Sequence, residues 1–257
     1  MPTLRSLAGR LTHGLVLKRR LPASLGRVPL FVSTEGGLRY LGFSLQNVDR
    51  QLLEMARELV TSGDVVWDVG ANLGLFAFGA AARAGPSGKV CAIEPDTFLI
   101  GLLRRSAALE ETRRAPVIPL PAAISDVVGV SRFYVDMRDR AMNHLGSLSG
   151  TGAEGARESQ WVVTVTLDWL LEHLPAPNLV KVDVEGAEAR VLRGAAKLLS
   201  TFRPRILCEV SEENATEVSS ILHSFGYTLL DASERPSRRV PIEKAAWSTL
   251  AYPPAGS

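Results

Sequence analysis

The residues best suited to chemistry in this chain are a glycine-spaced turn and the acids that flank it. Val65-Val66-Trp67-Asp68-Val69 is a largely apolar run, and Gly70-Ala71-Asn72-Leu73-Gly74 leads from it directly into an apolar helical pattern. This order predicts a strand, a tight turn and a helix N-terminus. Glycine lets the backbone turn sharply and approach a ligand closely. The following helix offers unpaired N–H groups and a partial positive charge to an anion. About twenty residues on, Val90-Cys91-Ala92-Ile93-Glu94 reads as a second strand ending in an acid, the position from which a carboxylate accepts hydrogen bonds from ribose hydroxyls. A nucleoside-bearing cofactor is the ligand this pairing predicts.

The spacing narrows the choice. Gly70-x-x-x-Gly74 is not the G-x-G-x-x-G of a pyrophosphate cradle, and Asn72 stands where that pattern wants a glycine. A smaller cofactor with a carboxylate near the helix fits better, and S-adenosylmethionine has that chemistry. The alternative is a strand–helix joint with no ligand. A second informative stretch is Lys181-Val182-Asp183-Val184-Glu185-Gly186-Ala187-Glu188. In a doubly wound sheet this strand should lie beside 65–69, across the switch point where ligands bind. Lys181 and Asp183 then share a face by the two-residue period, and Asp183 faces the reactive end of the cofactor. Glu185 and Glu188 suit a helix N-terminus.

The elements that must position these groups alternate. Residues 28–33 and 38–43 read as a hairpin across Glu35-Gly36-Gly37. Val48, Leu52, Met55 and Leu59 recur at helical spacing. Strands at 65–69 and 89–94 are each followed by a helix, around 74–84 and 96–109, and 117–120 is a short strand whose Pro119 suits a sheet edge. The alternation then breaks at 130–135 and 161–167, an inserted antiparallel pair flanking a polar loop. It resumes with strands at 179–183 and 205–210, a helix through Val191 and Leu198, and another opened by a capping box of Asn214 and Glu217. Strands near 227–230 and 247–252, with no helix between them, argue against a plain dinucleotide-binding fold. The pattern implies a mostly parallel sheet covered on both faces.

Asp68-Val69-Gly70-Ala71-Asn72-Leu73-Gly74, Glu94-Pro95, Thr166-Leu167-Asp168, Lys181 to Glu188, Val191-Leu192-Arg193-Gly194 and Cys208-Glu209 occur in this order. The series resembles the FkbM family of S-adenosylmethionine-dependent methyltransferases over roughly residues 48–252. The first 45 residues match nothing specific to that family and form a basic N-terminal extension. The resemblance implies an α/β class I methyltransferase fold, Rossmann-like and doubly wound, with a seven-stranded sheet whose last strand is antiparallel. It implies methyl transfer to a hydroxyl of a sugar, glycan or secondary metabolite. Carried over by position, Asp68, Gly70, Ala71, Asn72 and Gly74 border the methionine part of the cofactor, and Glu94 with Pro95 the ribose. Ala123, Ile124 and Asp126 lie near the adenine.

A hydroxyl acceptor must lose a proton, so a carboxylate or histidine within reach would help. The candidates are Asp183, then His144 in Asn143-His144-Leu145-Gly146, then Glu209. Asp183 with Glu185 or Glu209 could instead hold a divalent cation on the acceptor, though no clear ligand set is legible. A nicotinamide-dependent oxidoreductase shares the Glu94 feature but not Asn72 or the 181–188 stretch. A methyltransferase fold serving as a non-enzymatic binding module is the other alternative. The acceptor pocket should come from the 130–165 insertion and the N-terminal hairpin.

At 257 residues and 46% apolar, the chain can bury a full core without disulfides or metals. Net charge is +2, yet Arg5, Arg10, Lys18, Arg19, Arg20 and Arg27 precede the first acid, leaving the body acidic and unsuited to nucleic acid. The basic segment reads as a solvated arm that could touch an acidic partner or a membrane surface. No apolar run is long enough to span a membrane, and no secretory signal is evident. Cys91 and Cys208 each lie inside a strand pattern, and the strand order that the resemblance implies puts two strands between them, so they should be free thiols in a reducing, cytoplasmic setting.

Overall fold

The computed structural model describes residues 14–36, 40, 42, 44–136, 144–145 and 156–254. In chain order the strands are β1 (Val16–Arg20), β2 (Pro29–Ser33), β3 (Val65–Val69), β4 (Lys89–Ile93), β5 (Val117–Leu120), β6 (Ala123–Ile124), β7 (Gly129–Asp136), β8 (His144–Leu145), β9 (Ala156–Val165), β10 (Leu179–Val182), β11 (Arg205–Glu209), β12 (Thr228–Asp231), β13 (Pro241–Ile242) and β14 (Ser248–Tyr252). The α-helices are α1 (Arg50–Leu59), α2 (Leu75–Ala84), α3 (Thr97–Ala107), α4 (Leu167–Leu170), α5 (Glu188–Arg193) and α6 (Ala215–Ser224).

The main sheet runs β13-β12-β14-β11-β10-β3-β4-β5. β5, β4, β3, β10 and β11 are mutually parallel, and β14 lies antiparallel between β11 and β12. This is the doubly wound α/β class I methyltransferase arrangement. It carries an eighth strand, the two-residue β13, beyond the seven expected. β12 and β14, the two strands expected near the end of the chain, pair antiparallel, and β14 is inserted between β11 and β12.

The two-residue period sorts each strand's side chains onto two cores. Val66, Val90, Ala92, Leu179 and Leu207 pack with α1, α2 and α3 on one face. Trp67, Val69, Cys91, Val180, Ile206 and Cys208 pack with α4, α5 and α6 on the other. Buried on both faces, the central strands read as near-continuous apolar runs, as parallel strands should. Both cysteines are buried free thiols. Among the described residues no helix is long and apolar enough to cross a membrane.

Two local expectations are overturned. β2 pairs with β1, in an antiparallel pair that joins Val16 to Ser33 and Arg20 to Pro29, and most of 38–43, the other half of the expected hairpin, lies outside the described residues. Leu21, Leu25, Val28, Leu30 and Val32 are buried in the main core, so residues 16–33 are not a solvated arm. Asn214 and Glu217 do not form a capping box. The Asn214 amide donates instead to the Gly186 carbonyl and Glu188 Oε2, and Glu217 pairs with Arg193. Arg5 and Arg10 lie outside the described residues.

β7, β8, β9 and β6 form a separate four-stranded sheet, in which β7 and β9 are the antiparallel pair expected of the insertion. The Thr166-Leu167-Asp168 stretch that follows is structural. Thr166 Oγ1 caps α4 through the Trp169 N–H, and Asp168 accepts from the N–H groups of Lys197 and Leu198 at 2.9 Å each. These bonds fix β9 against the chain leaving α5.

Candidate active site

The chain reverses its winding direction at β3, with β4 on one side and β10 on the other, so their carboxyl ends open into a crevice. A cavity of about 280 Å³ occupies it, walled by the 70–72 turn, Glu94, Ile124, Phe133, Asp183 and Glu209. Gly70 has φ +77 and Asn72 φ +51, so the turn uses left-handed backbone at both positions. The N–H groups of Gly70 and Ala71 both donate to the Ile93 carbonyl at 3.0 Å, which ties the turn to the end of β4. The N-terminus of α2 begins at Gly74 without a side-chain cap.

Glu94 is buried against this turn. Its Oε2 accepts from the Asn72 N–H at 2.8 Å and its Oε1 from the Asp96 N–H at 2.9 Å. Burial pushes its pKa up to about 7, even though the two backbone hydrogen bonds favour the ionised form. Each carboxylate oxygen retains acceptor capacity for a ligand hydroxyl. Asn72 Oδ1 is buried without a hydrogen-bond partner, an acceptor set in the cavity wall.

On the other side of the crevice Lys181 is 3% exposed. Its Nζ donates to Asp183 Oδ2 at 3.0 Å and to the Gly70 carbonyl at 3.2 Å, and lies 3.3 Å from Asp68 Oδ1. Burial alone would lower the ammonium pKa. The charges of Asp183, Asp68 and Glu209 outweigh burial and raise it above the ordinary lysine value. Register explains the cluster, since Lys181 and Asp68 are cross-strand neighbours on one face. Glu209, at the end of β11, is pushed up to about 7 by burial first and by the charge of Asp183 second.

Of the residues expected to border a cofactor, Gly70, Ala71, Asn72, Glu94, Pro95, Ala123 and Ile124 line the cavity, and Asp183 and Glu209 join them. Three others are not on its wall. Asp68 is fully buried behind Lys181, Gly74 packs against Phe78 and Leu103, and Asp126 is turned away into an ion pair with Arg193. The His144 side chain lies outside the described residues. Glu188 serves the fold, accepting from the Gly186 N–H, Ser211 Oγ and Asn214 Nδ2. Among the described residues no group of three histidine, cysteine or acidic side chains is arranged to hold a metal ion.

Sequence reasoning missed Asp49 and Leu52 on the cavity wall and left Lys181 without a role, whereas Tyr40 and Phe133 come from the hairpin and insertion segments expected to supply the acceptor pocket. A lysine inside Leu179-Val180-Lys181-Val182 was the available signal, because a cation in a fully buried strand needs partners. Replacing Lys181 by methionine should leave Asp68 buried without a counter-charge, at a cost of about 3 kcal/mol near pH 8. Burial has already raised the Asp68 pKa, so that carboxyl can take up a proton instead. The deficit measured by urea unfolding should therefore shrink between pH 8 and pH 6. A deficit near zero at both pH values would mean that the Lys181–Asp68 pair contributes nothing.

A family model described as the methyltransferase FkbM domain matches residues 68–229. The chain is 37% identical over 162 residues to the hexuronic acid methyltransferase AglP of Haloferax volcanii, covering 61% of this chain and 58% of that protein. It is 30% identical over 210 residues to the 31-O-demethyl-FK506 methyltransferase FkbM of Streptomyces tacrolimicus, covering 71% of this chain and 79% of that one. A crystal structure of methyltransferase FkbM from Methylobacillus flagellatus superposes with a TM-score of 0.46 and 15% identity, over 78% of this chain and 50% of that one. The span of the family model includes the 70–74 turn, Glu94 and the 181–188 stretch. The chain belongs to the FkbM methyltransferase family.

Proposed function

We propose that the chain transfers a methyl group from S-adenosylmethionine to a hydroxyl of a sugar, glycan or secondary metabolite. The observation that carries this reading is the Glu94 carboxylate held beside the 70–74 turn at the cavity wall. The residues present fit the cofactor. The unpartnered Asn72 Oδ1 suits an ammonium donor, the uncapped start of α2 suits a carboxylate, and Ile124 and Phe133 offer an apolar wall for a purine. The names of the two relatives, a hexuronic acid methyltransferase and a demethyl-FK506 methyltransferase, agree with a hydroxyl-bearing acceptor.

When bound, the cofactor supplies an electrophilic methyl group on a sulfonium. The protein's task is then to orient the acceptor hydroxyl and hold its proton, and positioning alone supplies a large part of such a rate. Glu209 is the better proton acceptor, because its pKa of about 7 matches neutral pH. Asp183 has one oxygen committed to Lys181 and acts as an orienting group. This reverses the order in which the sequence ranked the two.

Calorimetric titration with S-adenosylhomocysteine tests the reading, with micromolar binding expected. A folded protein that does not bind it would overturn the proposal. Glu209→Gln should lower turnover by roughly a hundredfold, within the range for a lost general base. Its affinity for S-adenosylhomocysteine should stay within a few fold. Unchanged turnover would remove Glu209 from the mechanism.

A further inference from the structure

A second cavity, of about 140 Å³, adjoins the first and shares Asp49, Leu52, Lys181 and Glu209 with it. The shared wall contains the groups at the reactive end of the crevice, whereas Glu94, Asn72 and Ile124 line only the first cavity. The second cavity therefore opens on the side away from the nucleoside end. Its outer wall is Trp247, 64% exposed, carried by the residue just before β14. The Trp247 main chain is fixed, since its carbonyl accepts from the Val210 N–H at 2.7 Å, just beyond Glu209. Asp49 is fixed as well, because its Oδ1 caps α1 through the Leu52 N–H at 2.9 Å.

We infer that this second cavity is the acceptor subsite and that it takes a neutral or cationic polyhydroxylated ring, not a sugar acid. An exposed tryptophan face offers a platform for the C–H face of a sugar ring, and carboxylates accept its hydroxyls. Charge excludes the acid. Asp49 and Glu209 line the subsite, and Asp183 and Glu185 stand beside it in the first cavity, and among the described wall residues the one opposing cation is the Lys181 ammonium. Lys181 is already committed to Asp183, Asp68 and the Gly70 carbonyl, so it has no charge to spare for an acceptor carboxylate. A site built this way rejects an anion by repulsion and by leaving its charge unpaired.

The inference rests on the methyltransferase reading, and the test separates the two. Methyl transfer from S-adenosylmethionine would be measured with 4-nitrophenyl β-glucoside, β-glucosaminide and β-glucuronide, alongside S-adenosylhomocysteine binding. We expect kcat/KM for the glucoside or glucosaminide to exceed that for the glucuronide at least tenfold. Trp247→Ala should raise KM for the preferred sugar about tenfold with S-adenosylhomocysteine affinity unchanged, and Trp247→Phe should restore most of the loss. Preference for the glucuronide, indifference to Trp247→Ala, or no transfer to any of the three by protein that binds S-adenosylhomocysteine would overturn the subsite. Failure to bind S-adenosylhomocysteine would overturn the methyltransferase reading and the subsite with it.

Discussion

Replacing Gly70 by alanine should cost the fold about 3 kcal/mol or more, the range of an overpacked site with nowhere to relax. A Cβ at this position would stand 1.8 Å from the Asp183 carbonyl oxygen, and the φ of +77 disfavours any side chain. The obstacle is backbone, so no rotamer change relieves it. Accommodation requires the ends of β3 and β10 to separate. That movement breaks the bond from the Asp183 N–H to the Val69 carbonyl at 3.0 Å and the one from Lys181 Nζ to the Gly70 carbonyl. Stability and cofactor binding should therefore fall together. Gly101 provides the internal contrast. It lies within α3 and a Cβ there meets nothing within 4 Å. Gly101→Ala should accordingly stabilise the protein by about 0.5–1 kcal/mol. Urea midpoints of the two variants decide the matter, and a Gly70→Ala protein with the parental midpoint would contradict the close approach of the strand ends.

The same close approach explains why the core of the site is legible in the sequence. A tight strand–turn–helix joint leaves its mark locally, as an apolar run, glycines at fixed offsets and a strand-terminal acid. Gly70, Asn72, Glu94 and Asp183 all belong to such joints, and pairing of β3 with β4 on one side and β10 on the other brings them together. The rest of the wall carries no such mark. Asp49 caps α1, and only the packing of that helix beside the crevice places it in the cavity. Tyr40, Phe133 and Trp247 come from three unrelated segments. The N-terminal strand was misread for a different reason. Val16-Leu17-Lys18-Arg19-Arg20 exposes Lys18 and Arg20 on a two-stranded edge, so its sequence resembles a charged arm. What commits it to the fold is the apolar stretch after it, whose Leu21 and Leu25 are buried. Asp126 shows the converse error. It lies two residues beyond cavity-lining Ile124, but the nearby Arg193 side chain draws it outward.

Affinity for S-adenosylhomocysteine should rise roughly tenfold per pH unit up to about pH 7 and then level off, because a ribose diol needs Glu94 ionised. In the free protein burial raises this carboxyl from the ordinary 4.5 to about 7. The folded state thus favours the protonated form. The group's contribution to stability is complete below pH 4.5 and is lost as pH rises through 7, a swing of about 3 kcal/mol. Glu209, raised for the same main reason, adds a loss of the same sign. Hydroxyl donors reverse the preference at Glu94, so binding below pH 7 must release a proton. Calorimetry in buffers of different ionisation enthalpy would register that release directly. Glu94→Ala removes the acceptor proposed for the ribose hydroxyls and also frees the Asn72 and Asp96 N–H groups. With about 1.5–3 kcal/mol for each hydrogen bond to a charged group, affinity at pH 8 should drop a hundredfold or more. Glu94→Gln keeps the shape without the titration, so its affinity should be weak and flat across the same pH range. Retention of the parental pH slope in that variant would assign the proton to another group, with Glu209 the next to replace.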